Sequence, residues 1–129
     1  MKIQRIISLI SINIILFGCA TGSTITTGDV RPAIDPTKVK IYLDPPLKYE
    51  TIGLVEASNK VVVSRQAAQD GVVNELKKQA AKVGANGVLL VNTGTTTSIK
   101  TSVYSSGFIY SSTSNTMTGQ GRAIFVIQE

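Results

Sequence analysis

Only one stretch of this chain has the periodicity of a long helix, and strand-like runs flank it on both sides. In "SRQAAQDGVVNELKKQAAKVGANGVLLV" the apolar residues Ala68, Val72, Val73, Leu76, Ala80 and Val83 recur at helical spacing. Ser64 stands where an N-cap is needed, because its hydroxyl can accept a bond from an otherwise unpaired first-turn N–H. Lys77, Lys78 and Lys82 lie toward the other end, where positive charge complements the helix dipole. Gly84 follows, at the position where a left-handed residue ends many helices. The spacing predicts a helix from about Arg65 to Val83. Gly71 lies inside it, at a cost of about 1 kcal/mol relative to alanine, which implies close packing there.

Gly84 and Gly87 sit in a tight turn beside "VLLV" and at first sight suggest a phosphate cradle. A cradle needs strand, then glycines, then helix, so that N–H groups and the positive dipole end face the anion. Here the order is reversed, and the helix end points carbonyls into the turn. The two glycines are punctuation between a helix and a strand.

Around the helix, "KVKIYL" alternates Val39, Ile41 and Leu43 with Lys40 and Tyr42, the pattern of a half-buried strand. "DPPLKYE" interrupts it, since tandem prolines cannot continue a ladder. "TIGLVEA" is a second strand, and "SNK" turns the chain into "VVV", a short strand or the lead-in to the helix. "GVLLVN" is a continuous aliphatic run expected near the sheet centre, and "RAIFVIQ" is the last strand. Between these two lies a Ser/Thr-rich segment at about 93–120. Its strand-forming threonines and tyrosines, with "SSG" as a turn, predict a two-stranded hairpin arm. Tyr104, Phe108 and Tyr110 are its expected contact residues. The fold class is therefore α+β in two layers. It has about four mainly antiparallel strands, one helix packed on a face, and the hairpin arm. A core this small, with no disulfide available, makes a homo-oligomer a reasonable expectation.

The first eighteen residues read differently. "MKIQR" is a short basic region and "IISLISINIILFG" an apolar one. Thirteen residues make a helix of roughly 20 Å, short of the ~30 Å hydrocarbon core, and Ser8, Ser11 and Asn13 interrupt it. That pattern is a removed signal peptide. The only cysteine, Cys19, follows in "LFGCATGS", which resembles the lipobox of bacterial lipoproteins, with Leu16, Phe17 and Gly18 preceding the cysteine. The resemblance implies cleavage between Gly18 and Cys19 and acylation of Cys19. Several acyl chains would hold the protein stably on a membrane. Ala20, rather than aspartate, after the cysteine implies the outer membrane. Residues 1–18 are then the signal peptide, 19–37 the acylated cysteine and a Thr/Gly/Ser/Pro-rich flexible tether, and 38–129 the folded domain.

Composition narrows the chemistry. The 129-residue chain contains no histidine, which excludes a Ser-His-Asp site. With Cys19 acylated it offers no thiol and no zinc ligand set. Taking Lys2 and Arg5 from thirteen basic residues leaves eleven against eight acidic ones, a mild and scattered excess. Only Lys77, Lys78 and Lys82 are dense, and a solvated helix face explains them better than a nucleic-acid stripe. No D-x-D-x-D calcium loop and no G-x-S-x-G elbow occurs. Glu50 and Glu56, six residues apart on one strand, would share a face, but two solvated edge charges are the simpler reading. No catalytic residue, metal site or cofactor is expected.

"KVKIYLDPPLKYETIGLVEA" followed by "ELKKQAAKVGANGVLLV" resembles a group of small bacterial lipoproteins of uncharacterised function. It is more distantly similar to the Rcs stress-sensor lipoprotein and to YbjQ-like small domains, which share a strand–helix–"GAN"–strand unit. The resemblance implies an αβ domain tethered to the outer membrane, and no reaction. The stress sensor is stapled by disulfides, which this chain cannot form. The functional expectation is a lipid-anchored, non-enzymatic envelope protein that faces the periplasm and acts as an interaction or envelope-integrity module. Its partners would be the membrane, through Cys19, and an unknown envelope protein or itself, with no nucleic acid. The alternative is a periplasmic small-ligand or lipid-binding accessory lipoprotein, with a pocket between helix and sheet near Gly71.

Overall fold

The computed structural model describes residues 20–129. The signal segment and Cys19, with the expected cleavage and acylation, lie outside the described residues. Helix α1 runs Arg65–Lys82, and its two ends follow from local chemistry. Ser64 Oγ accepts the Ala67 N–H at 3.1 Å. At the other end the Gly84 N–H reaches the Ala81 carbonyl, and the Ala85 N–H reaches the Ala80 carbonyl at 3.1 Å. Gly84 has φ 76°, the left-handed conformation this closing motif needs.

Five strands form one mixed sheet: β1 (Thr21–Thr26), β2 (Lys40–Tyr42), β3 (Lys48–Lys60), β4 (Gly87–Val103) and β5 (Ile109–Gln128). Their spatial order is β1-β3-β5-β4-β2. All neighbours are antiparallel except β2 and β4. Strands β3 and β4 are joined through α1 and run parallel to each other, with β5 inserted between them. The expected two-layer α+β arrangement with one helix on a face is present, with five strands instead of about four.

The additional strand comes from the segment expected to be tether. Thr21–Thr26 pairs with β3 along its whole length, from Thr21 opposite Ser58 to Thr26 opposite Gly53. Its composition is poor in apolar residues, but an edge strand gains its hold through backbone bonds and needs little core area. The rest of that segment is also ordered. The Arg31 N–H donates to the Val83 carbonyl and the Ile34 N–H to the Ala81 carbonyl, both at 3.0 Å, so residues 31–34 cover carbonyls at the end of α1. Asp35 then caps a 3-10 turn, Pro36–Lys38, accepting the Thr37 N–H at 2.9 Å and hydroxyl at 2.8 Å. Those two bonds hold its carboxyl below the usual carboxylate range.

Strand β3 corrects a second expectation. It continues through "SNK" to Lys60 without turning, and Val62 and Val63 are exposed beyond it. Asn59 stays in the strand and its amide lies beside α1, near the Ala68 carbonyl. A Cβ on Gly71 would fall on that amide. This is the close packing implied by a glycine inside the helix.

The face toward α1 is built from small residues: Gly53, Val55 and Ala57 on β3 face Ala123, Gly121 and Gly119 on β5. Leu76, Val72 and Ala80 of the helix sit on this shallow seat, all buried. Asn86, the last residue of "GAN", links the helix exit to the sheet. Its amide donates to the Val126 carbonyl at 3.2 Å and accepts the Val126 N–H at 2.7 Å, a side-chain imitation of strand pairing.

Candidate functional site

Two features of the sheet stand outside the core, and both follow from strand length. Strand β3 ends at Lys60 opposite Thr116, and β2 pairs only with Gly87–Leu89 of β4. Strands β4 and β5 continue past both, paired with each other through Val103 opposite Ile109. From Thr97 to Asn115 the chain is therefore a two-stranded ribbon, and the expected Ser/Thr-rich arm is its continuous prolongation of the sheet. At the tip the Gly107 N–H closes a turn on the Tyr104 carbonyl, and the Tyr104 N–H reaches the Phe108 carbonyl, both at 2.9 Å. Gly107 has φ 86°, so the third loop residue takes the left-handed conformation common in such hairpins.

Tyr104, Phe108 and Tyr110 are all at this tip and all exposed, Phe108 by 75%. Alternation puts Tyr110 on the sheet face away from α1, with Tyr104 and Phe108 opposite each other just beyond. Ile99, Val103 and Ile109 fall on the helix-side face and are exposed as well. The expectation named the aromatic residues and missed these aliphatic ones, which the same alternation would have found. Along the stem the contacts are hydroxyl to hydroxyl or amide, such as Thr97 Oγ1 to Asn115 Oδ1 at 2.9 Å.

The second feature is the sheet face away from α1, which no element covers among the described residues. Pairing aligns Ile25, Leu54, Arg122, Leu89 and Tyr42 in one row across all five strands. Beside it lies a shallow hollow of about 350 Å3, whose polar lining is Thr21, Ser23, Glu56, Ser58, Thr118 and Gln120. Gln120 donates to Glu56 at 2.8 Å, and Thr21 pairs with Ser58 at 2.9 Å, so several of these groups already satisfy one another.

Glu50 and Glu56 do not share a face. Strand β3 carries a bulge between Thr51 and Gly53, while β5 opposite it is regular, so Glu50 faces Phe125 and Glu56 faces Gln120. An extra residue in one strand reverses the alternation beyond it. Glu50 is instead bound to Arg31 at 2.9 Å, whose guanidinium lies 3.8 Å from the centre of the Phe125 ring. At the opposite edge Glu129 accepts from Lys40 at 2.6 Å and from the Tyr42 hydroxyl at 2.9 Å. The Lys40 bond, then the Tyr42 bond, hold the Glu129 carboxyl low, and Glu129 holds the Lys40 ammonium high.

The space beside Gly71 is occupied by Asn59, and the groove outside it is lined by polar groups including Asn74, Glu75 and Lys78. No cluster of three metal-ligating side chains occurs among the described residues. Nor is any described helix long and apolar enough to cross a membrane.

No protein-family model matches the chain, and no curated protein matches it in sequence. A crystal structure of the Francisella virulence factor FvfA is similar with a TM-score of 0.48 and 23% identity, over 79% of this chain and 96% of that one. A likeness of that degree carries no conclusion about function.

Proposed function

We propose that this protein is a lipid-anchored, non-enzymatic module of the cell envelope, held on the outer membrane at Cys19 and facing the periplasm, whose ribbon binds a partner by strand addition. The ribbon's two free edges carry this reading. From Leu90 on β4 and beyond Asn115 on β5, whose carbonyl still accepts the Val61 N–H at 2.8 Å, backbone groups have no second neighbouring strand among the described residues. Proteins normally protect such edges with proline, charge or a covering element. Residues 90–116 contain no proline and one charged residue, Lys100. An isolated two-stranded ribbon is only marginally stable in water, whereas an added strand supplies the missing ladder. Alternating threonines and isoleucine on the helix-side face would then read the partner's side chains.

The test is photo-crosslinking in intact cells from Thr97, Thr101 and Thr113, with adducts identified by mass spectrometry. One discrete adduct is expected, and self-adducts would make the partner a second copy. No adduct at any of the three positions overturns strand addition. Anchoring is checked separately by loss of labelled-palmitate incorporation on Cys19→Ala.

A further inference from the structure

The ribbon leaves the sheet at the same end as the amino terminus. Thr21 opens β1 opposite Ser58, and Ser58 faces Thr118 on β5. From that row β5 runs back to Ile109 at the tip, nine residues or roughly 30 Å at strand rise, in the direction away from the body. Cys19 is two residues before Thr21 and therefore within about 7 Å of it. The tip therefore lies beyond the farthest reach of the Cys19 backbone by roughly 20 Å in that direction.

We infer that the tip, Val103 to Tyr110, docks on the surface of the bilayer that holds the acyl chains, giving the domain a second point of membrane contact. This rests on the lipid anchoring of Cys19 proposed above. A ribbon that points past its own anchor toward the bilayer must either enter it or lie over it. Deep entry is excluded by the stem, whose Ser/Thr faces and unpaired edges cannot be satisfied in hydrocarbon. The ribbon therefore lies along the surface and only its tip enters the headgroup layer. The tip has the composition for it, with two tyrosines and a phenylalanine, residues whose amphipathic or aromatic rings suit that layer, next to Val103 and Ile109. All five are exposed.

Charge agrees. Lys100 is the single charged residue of the ribbon. Lys60 and Arg65 flank the exposed Val62 and Val63 at the same end of the body, opposed on that end of α1 by Asp70. None of these three basic residues forms an ion pair among the described residues. Anionic headgroups would complement them.

The chain contains no tryptophan, so Phe108→Trp installs a single reporter at the tip and Leu47→Trp one at the far end, where Leu47 is exposed just before β3. The acylated protein is reconstituted into vesicles of phosphatidylethanolamine and phosphatidylglycerol, with and without lipids brominated on the acyl chain. The Phe108→Trp indole should be blue-shifted, and brominated lipid should quench it at least about twofold more than the Leu47→Trp indole. Tyr104→Trp serves as a second tip reporter and should behave alike. Equal quenching at both ends overturns the docking, as does a blue shift without quenching, which would place the tip against protein. Flotation of the vesicles is scored first. Protein that fails to float refutes the anchor itself, a result distinct from an anchored protein with an unquenched tip.

Discussion

Adding one methyl group at Gly119 should lift the helix off the sheet. A Cβ built there lies 2.6 Å from Val72 Cγ1 and 3.3 Å from Leu76 Cδ1. Carbon atoms prefer about 3.5–4.0 Å, so the valine methyl must retreat by roughly 1 Å. Val72 cannot easily rotate away, because a β-branched side chain in a helix is held to one rotamer. The helix must move instead, and a gap of that size forfeits a quarter to a half of each affected contact. Overpacking of this kind costs about 1–3 kcal/mol, offset by about 0.4–1 kcal/mol from the stiffer unfolded chain. Gly119→Ala should therefore destabilise by about 1–2 kcal/mol. The assay is urea unfolding followed by circular dichroism, with Val72→Ala and the double variant completing a cycle. Val72→Ala alone should cost about 2 kcal/mol through lost burial. In the double variant the new methyl occupies the vacated space, so the pair should cost about 1 kcal/mol less than the sum. Costs that add to within about 0.3 kcal/mol, or a neutral Gly119→Ala, would refute the close seat.

Two further outcomes test the ends of the fold. Ser64→Ala removes the acceptor of the Ala67 N–H and should cost about 1 kcal/mol in the same titration, with Ser64→Asp retaining most of the stability. Glu129→Gln should lower the thermal midpoint slightly at neutral pH by breaking the Lys40 bridge. The Glu129 carboxyl is held low, so its contribution is present above the ordinary carboxylate pKa and lost as pH falls through the lowered one. The gap between variant and parent should therefore close in acid, as melting curves across pH will show. Lys40 is held high, so the gap should also close as strong alkali removes its proton.

Elements whose cause is local could be read from the chain. Ser64 and Gly84 bound the helix through side-chain and backbone chemistry within a few residues, and "SSG" marks the hairpin because Gly107 must adopt a positive φ. Elements that depend on a distant partner could not. Strand β1 has one large apolar residue, Ile25, and is held through backbone pairing to residues some thirty positions away. It reaches the helix with a bare glycine and a hydroxyl: Gly22 lies against Glu75 and Gln79, and Thr24 Oγ1 donates to Gln79 Oε1 at 3.1 Å. The bulge before Gly53 is equally silent, since register belongs to a pair of strands and not to one of them. That one inserted residue separated Glu50 from Glu56. At the tip, tyrosine and phenylalanine were conspicuous by type. Which end of the sheet they project from became visible only once β1 was placed.

Strand β1 also bears on how the domain withstands force. A pull delivered through Ala20 acts along β1, while the bonds joining β1 to β3 run across it. All six register pairs, Thr21–Ser58 to Thr26–Gly53, then share the load at once instead of parting one after another. Beyond them the chain is fastened again, where Arg31 and Ile34 bond the end of α1. The attachment is a lap joint with a second fastener behind it, suited to a protein tugged from one end.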